Sequence, residues 1–180
     1  MNPKPTKANE AMRHSGRKRV SLDFNWPAQP LHLVLVEPSI PPNTGNIARL
    51  SAATGSILHL VEPLGFDLSE KKLRRAGLDY WDAVDIRIHP NFEHFLEQNP
   101  TGEKYFFSTG GTKNYTEVTY APGDYLIFGN ETFGLSDALL AQHAQHLCNI
   151  PIRLDHVRSL NLSNCTALVL YEALRQLNLS

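Results

Sequence analysis

Apolar residues fall in short unbroken runs separated by stretches with helical spacing. Residues 31–36 (LHLVLV) predict a buried strand stopping at Glu37-Pro38, and Ile57–Val61 predicts another stopping at Glu62-Pro63. Between them, residues 44–54 put Ile47, Leu50 and Ala53 on one helical face, with Gly55 as the stop. Further strands are predicted at 105–108, Tyr125–Phe128 and 147–152, and helices at 69–76, 91–98 and 137–146. A long closing helix over about 160–177 carries an apolar stripe of Leu168, Tyr171, Leu174 and Leu177. Strands that are apolar throughout and separated by helices predict an α/β fold, a parallel sheet flanked by helices on both faces.

Composition adds little to this picture. At 42% hydrophobic and 19% charged, the 180 residues suit one globular domain, with or without a tail. No run approaches the ~18 apolar residues of a membrane span, and the basic start lacks a secretory apolar stretch. Cys148 and Cys165 are too few for a disulfide framework, so reduced thiols in a cytoplasmic protein are expected.

Charge is more informative. The first 26 residues carry six Lys or Arg against two acids, a net +4 that leaves −5 for the remainder. With few apolar residues and no periodicity, residues 1–28 are expected to form a basic, disordered tail, with 29–180 as the folded domain. That tail is either a solvated extension or a local source of positive charge for nucleic acid.

Ligands of parallel sheets bind beyond the carboxyl ends of the strands, and the polar and glycine-bearing clusters follow the predicted strands. They contain neither a G-x-G-x-x-G fingerprint, nor a P-loop, nor a G-x-S-x-G elbow. Asp155, His156 and Ser159 are triad residue types but crowd one loop, which argues against a hydrolase. His143, His146 and Cys148 lack an apparent fourth ligand, so no metal is expected.

Three of these segments are distinctive: Pro41-Pro42-Asn43-Thr44-Gly45-Asn46-Ile47-Ala48-Arg49, Phe128-Gly129-Asn130-Glu131-Thr132-Phe133-Gly134-Leu135, and the stretch from Ile150-Pro151 through Arg158-Ser159-Leu160-Asn161-Leu162-Ser163-Asn164. They resemble the three motifs of SPOUT methyltransferases. Leu73-Arg74-Arg75-Ala76-Gly77-Leu78-Asp79-Tyr80 and Tyr171-Glu172-Ala173 narrow the resemblance to the tRNA (cytidine/uridine) 2′-O-methyltransferases of the wobble nucleotide.

The resemblance implies a C-terminal trefoil knot, S-adenosyl-L-methionine as cofactor, a homodimer and tRNA as partner. By matching motif positions it places Phe107, Gly129, Ile150, Ser159 and Leu160 around the cofactor. Gly129 is read as admitting close approach of the ligand, and Phe107 and Ile150 as an apolar wall for adenine. Arg49 and Arg158 are implied to be catalytic, Arg49 near the start of its helix where a phosphate is favoured. Asn46 and Glu131 would anchor these arginines or the RNA hydroxyl. Tyr171 is either an RNA-placing residue or a core aromatic of the last helix, which is also the candidate dimer contact. Phe133 and Gly110 depart from the pattern, standing where relatives usually carry a basic residue and a lysine. Two other readings stay open: methylation of ribosomal RNA or another tRNA position, and a catalytically silent RNA-binding knot protein.

Lys71, Lys72, Arg74 and Arg75 put four cations within five residues. They form either a solvated face or a phosphate contact, and Lys71 and Arg74 are candidate substrate ligands. Neutralising all four is expected to weaken tRNA binding and flatten its salt dependence. Titrations across a salt series that superimpose on the wild-type curves would exclude the contact.

Overall fold

The computed structural model describes residues 20–67 and 84–179. The basic cluster at 71–75, the helix expected at 69–76 and the first 19 residues lie outside the described residues.

The strands are β1 (His32–Val36), β2 (Ile57–Val61), β3 (Ile86–His89), β4 (Lys104–Phe107), β5 (Lys113–Asn114), β6 (Tyr125–Phe128) and β7 (Leu147–Asn149). The α-helices are α1 (Pro41–Thr54), α2 (Phe92–Gln98), α3 (Asp137–Gln142) and α4 (Leu162–Leu179). All strand pairs are parallel, in the order β3-β2-β1-β6-β4-β7-β5.

The predicted α/β class is observed, and its cause is visible in β1. Every residue of β1 is buried because both sheet faces are covered. Leu33 and Leu35 join the core beneath α1 and α4; Val34 and Val36 join the opposite core around Phe92, Phe95 and Phe106. The two-residue period of the strand produces this division. β2 and β6 are likewise wholly buried.

Several element bounds shift for local reasons. Helix α1 begins at Pro41 rather than at 44, because a proline in the first turn loses no helical hydrogen bond. Arg49 therefore lies in the second half of α1, not near its start. β7 stops at Asn149, two residues before Pro151, whose missing N–H cannot join a ladder. The helix expected at 137–146 ends at Gln142 and gives way to a 3₁₀ turn at Ala144–His146. Strands β3 and β5, not predicted from the sequence, form the two edges of the sheet.

The stripe read on the last helix is also corrected. Leu174 is buried, but Leu168 and Tyr171 are 44% and 52% exposed. The inward face is Leu162, Thr166, Val169, Leu170, Ala173 and Leu174, on a helix that packs against α1 and β6. Tyr171 is thus not a core aromatic.

On the α2 side of the sheet a row of imidazoles crosses three strands. His32 Nδ1 lies 2.9 Å from His59 Nε2, and His59 Nδ1 lies 2.9 Å from His89 Nε2. Tyr125 stacks on His32, with ring centroids 4.2 Å apart. A neutral imidazole offers one donor and one acceptor, so a row of neutral imidazoles sharing one tautomeric sense satisfies both contacts. Burial, then the Arg87 charge, pushes His32 down to about 4; burial, then its histidine neighbours, pushes His59 down to about 2. A folded pKa below the unfolded ~6.5 means stability is complete above pH 6.5 and is lost as pH falls through that value. Urea unfolding should show stability falling between pH 7.5 and 5 by roughly 2 kcal/mol for each of these two histidines. A flat profile over that window would contradict the neutral row.

Candidate functional site

In a parallel sheet the carboxyl ends of the strands share one edge. The segments leaving β1, β4, β6 and β7 converge there on a cavity of about 670 Å³. Phe107 and Phe128, at the ends of β4 and β6, stack with centroids 5.0 Å apart and contribute aromatic wall. Leu135, Ile150, Leu160 and Leu162 add aliphatic wall. Phe107, Gly129, Ile150, Ser159 and Leu160 all line this one cavity, together with Glu131 and Arg158.

Other predicted residues lie elsewhere. Asn46 and Arg49 are exposed on α1 and Tyr171 is exposed on α4; none of the three lines the cavity. Lys71 and Arg74 are outside the described residues.

Glu131 joins the segments. Its Oε2 accepts from the Ser39 N–H at 2.8 Å and the Ser39 hydroxyl at 3.0 Å. Its Oε1 accepts from the Ile40 N–H at 3.2 Å and from Asn43 Nδ2 at 3.1 Å. The N-cap residue of α1 is Ile40, which has no side-chain acceptor, so this carboxylate serves the helix entrance from another loop. Burial raises the Glu131 pKa, but the hydrogen bonds from Ser39 and Asn43 outweigh it and hold the group below its usual value.

The tie continues to the third segment. Asn161 Nδ2 donates to Asn43 Oδ1 at 2.9 Å, while Asn161 Oδ1 accepts from the Ser163 N–H at 2.9 Å and the Ser163 hydroxyl at 2.7 Å. Ser39, Asn43 and Asn161 were not singled out from the sequence as site residues. The available signal was an N-terminal capping pattern, Asn161 two residues before Ser163 at the start of an apolar helix.

Gly129 is needed for a different reason than expected. A Cβ there would sit 2.2–2.4 Å from backbone atoms of Gly134 and Leu135, so the close approach is by the chain's own turn. That turn is closed by reciprocal backbone hydrogen bonds between Asn130 and Gly134, of 3.1 and 2.8 Å. Asn130 Oδ1 also accepts from the N–H groups of Thr132 and Phe133, and Asn130 Nδ2 donates to the Glu37 carbonyl at 2.7 Å. On the β7 side, the loop holding Arg158 contains an exposed cluster in which Asp155 pairs with Arg153 at 3.1 Å and His156 at 3.2 Å.

Comparison with known proteins gives the family. Residues 30–171 match the SpoU rRNA Methylase family. The chain is 48% identical over 147 residues to a tRNA (cytidine(34)-2′-O)-methyltransferase of Saccharophagus degradans, covering 81% of this chain and 95% of that protein. It is 47% identical, with a TM-score of 0.78, to a solved structure described by its work on the 2-OH methylation of C/U34 on tRNA, covering 84% of this chain and 99% of that one. An AdoMet-bound rRNA methyltransferase from Sinorhizobium meliloti superposes with a TM-score of 0.72 at 28% identity, covering 84% and 58% of the two chains. The chain belongs to the SpoU methylase family.

Proposed function

We propose that this chain transfers a methyl group from S-adenosyl-L-methionine to the ribose 2′-OH of the wobble nucleotide, a cytidine or modified uridine, in the tRNA anticodon loop. The observation that carries this reading is the convergence of three family segments on one nucleoside-sized cavity with Arg158 in its wall. Its support for the wobble position is the 48% identity to a relative named for that reaction.

The cavity suits the cofactor. Its volume lies within the range of small-molecule sites. Phe107, Ile150 and Leu160 offer apolar surface to a purine, and Gly129 and Ser159 bring backbone and hydroxyl groups to its polar edges. The Asp137 carboxylate, also in the wall, complements a positive charge. When bound, the cofactor supplies a methyl group made electrophilic by its sulfonium. The chain's task is then to align the ribose hydroxyl and stabilise the negative charge developing on its oxygen. Arg158 presents a guanidinium fork to that oxygen or the adjoining phosphate. Glu131 keeps the cavity shut at the β1 side and orients the backbone beside which the ribose docks.

We assign two finer features on the same basis. β7 lies between β4 and β5, which are joined by residues 108–112 alone. That bridge touches β7: the Ser108 N–H donates to the Cys148 carbonyl at 3.0 Å, and a Cβ on Gly111 would lie 2.5 Å from the same group. On this reading the chain leaving Asn149 for α4 passes beneath that bridge, as the threading of a trefoil knot requires. Second, Asn46, Arg49, Leu168 and Tyr171 are exposed on α1 and α4, two helices that pack together. A second copy seated on this face makes a homodimer in which Arg49, Asn46 and Tyr171 serve the ribose and the RNA across the interface. Residues 29–180 are then the catalytic domain and 1–28 a basic tail of a cytoplasmic enzyme. No helix among the described residues is long and apolar enough to cross a membrane.

The test is methyl transfer from labelled cofactor to total tRNA, followed by nucleoside mapping. The expected product is 2′-O-methylation at the wobble nucleotide, and label in ribosomal RNA instead would reassign the target. Arg158→Ala should lower kcat by at least about 100-fold while circular dichroism stays unchanged. A fully active variant would mean that the reacting ribose lies elsewhere.

A further inference from the structure

Phe133 is the most exposed of the phenylalanines described, 86% accessible, and it stands in the wall of the cavity. Leaving a phenyl group in water forgoes about 2 kcal/mol that burial elsewhere would return. Its position is also fixed. The turn beneath it is closed by the Asn130–Gly134 pair, and the Phe133 N–H itself donates to Asn130 Oδ1 at 3.2 Å. Glu131 and Asn130 fasten the same turn to the segment after β1. A rigid mount for an exposed aromatic ring is the arrangement expected of a stacking platform.

Local charge decides what the platform receives. Between Gly129 and Leu140 the ionisable residues are Glu131 and Asp137, both acidic. An RNA phosphate is repelled from this side, whereas the π-face of a base carries no net charge. The phosphate has its partner on the other side of β4, where Arg158 follows β7. The roots of the two segments are separated by two strand spacings, roughly 10 Å. The cofactor's adenine is the other flat group at hand, but Phe107 and Ile150 already offer it apolar wall.

We propose that Phe133 stacks on an unpaired nucleobase of the substrate RNA beside the ribose being methylated, and so fixes which nucleotide enters the site. This rests on the RNA methyltransferase reading above. The RNA lies with its base side toward Phe133 and its phosphate side toward Arg158.

The experiment measures binding of a tRNA anticodon stem-loop in the presence of S-adenosylhomocysteine. Phe133→Ala should weaken RNA binding roughly tenfold with the slope of affinity against salt unchanged, because no phosphate contact is lost. Phe133→Trp should restore it. S-adenosylhomocysteine affinity, measured alone, should stay within about twofold. An abasic substitution at one loop position should weaken the wild-type protein by a similar factor and Phe133→Ala no further. Unchanged RNA binding by Phe133→Ala overturns the proposal, as does an equal loss of S-adenosylhomocysteine affinity, which would place the ring in the cofactor site. Wild-type protein that binds the stem-loop through Phe133 yet transfers no methyl group would instead overturn the functional reading and leave the stacking contact standing.

Discussion

The site depends on one buried-edge carboxylate. A parallel sheet delivers its strand ends to a common edge but does nothing to hold the segments that leave them. Here Glu131, after β6, accepts from Ser39, Ile40 and Asn43 after β1, and Asn43 passes the tie to Asn161 at the entrance of α4. At the entrance of α1 this carboxylate receives the Ser39 and Ile40 N–H groups. The cap residue of that helix is isoleucine, and the next two positions are prolines without N–H groups. A negative charge at a helix N-terminus is also favoured by the peptide dipoles. Desolvation opposes ionisation of Glu131, but several donors together prevail, so the group is a fixed anion.

Much of the scaffold was legible because its central strands are driven by burial alone. β1, β2 and β6 are wholly buried apolar runs interrupted only by His32 and His59. The edges were not legible. β3 is IRIH and β5 is KN, and such strands exist because a neighbour offers a ladder, not because of their own apolar surface. The stripe on α4 was misread for a related reason. Leu168, Tyr171 and Leu174 are spaced by three and satisfy a helical pattern, but the buried face includes Thr166 and Ala173. Small residues bring two helices close, and a search for large apolar residues passes over them.

The proposed cofactor residues were named from the motif resemblance: Gly129 and Ile150 lie just past a strand, Phe107 ends β4, and Ser159 and Leu160 lie well beyond β7. What chain order cannot reveal is how those segments meet. Asn43 and Asn161 are 118 residues apart and are joined by a single hydrogen bond. Gly129 was selected correctly as a wall residue and for an incomplete reason: the atoms crowding it belong to Gly134 and Leu135. Arg49 and Tyr171 mark the opposite limit. Their positions within α1 and α4 are plain from the sequence, yet both side chains are exposed and neither borders the cavity of a single chain.

The division of charge around the cavity follows from the same construction. A chain whose first 26 residues are net +4 and whose remainder is net −5 cannot attract a polyanion over its whole surface. Fastening the β6 segment requires a carboxylate, Glu131, on one flank of the site, which makes that flank hostile to phosphate. A cation then comes from a different strand end, and among the described residues Arg158 after β7 lines the cavity. On the proposed reading, phosphate and base are thereby sorted to separate sides, and the tie that assembles the pocket would also orient an RNA entering it.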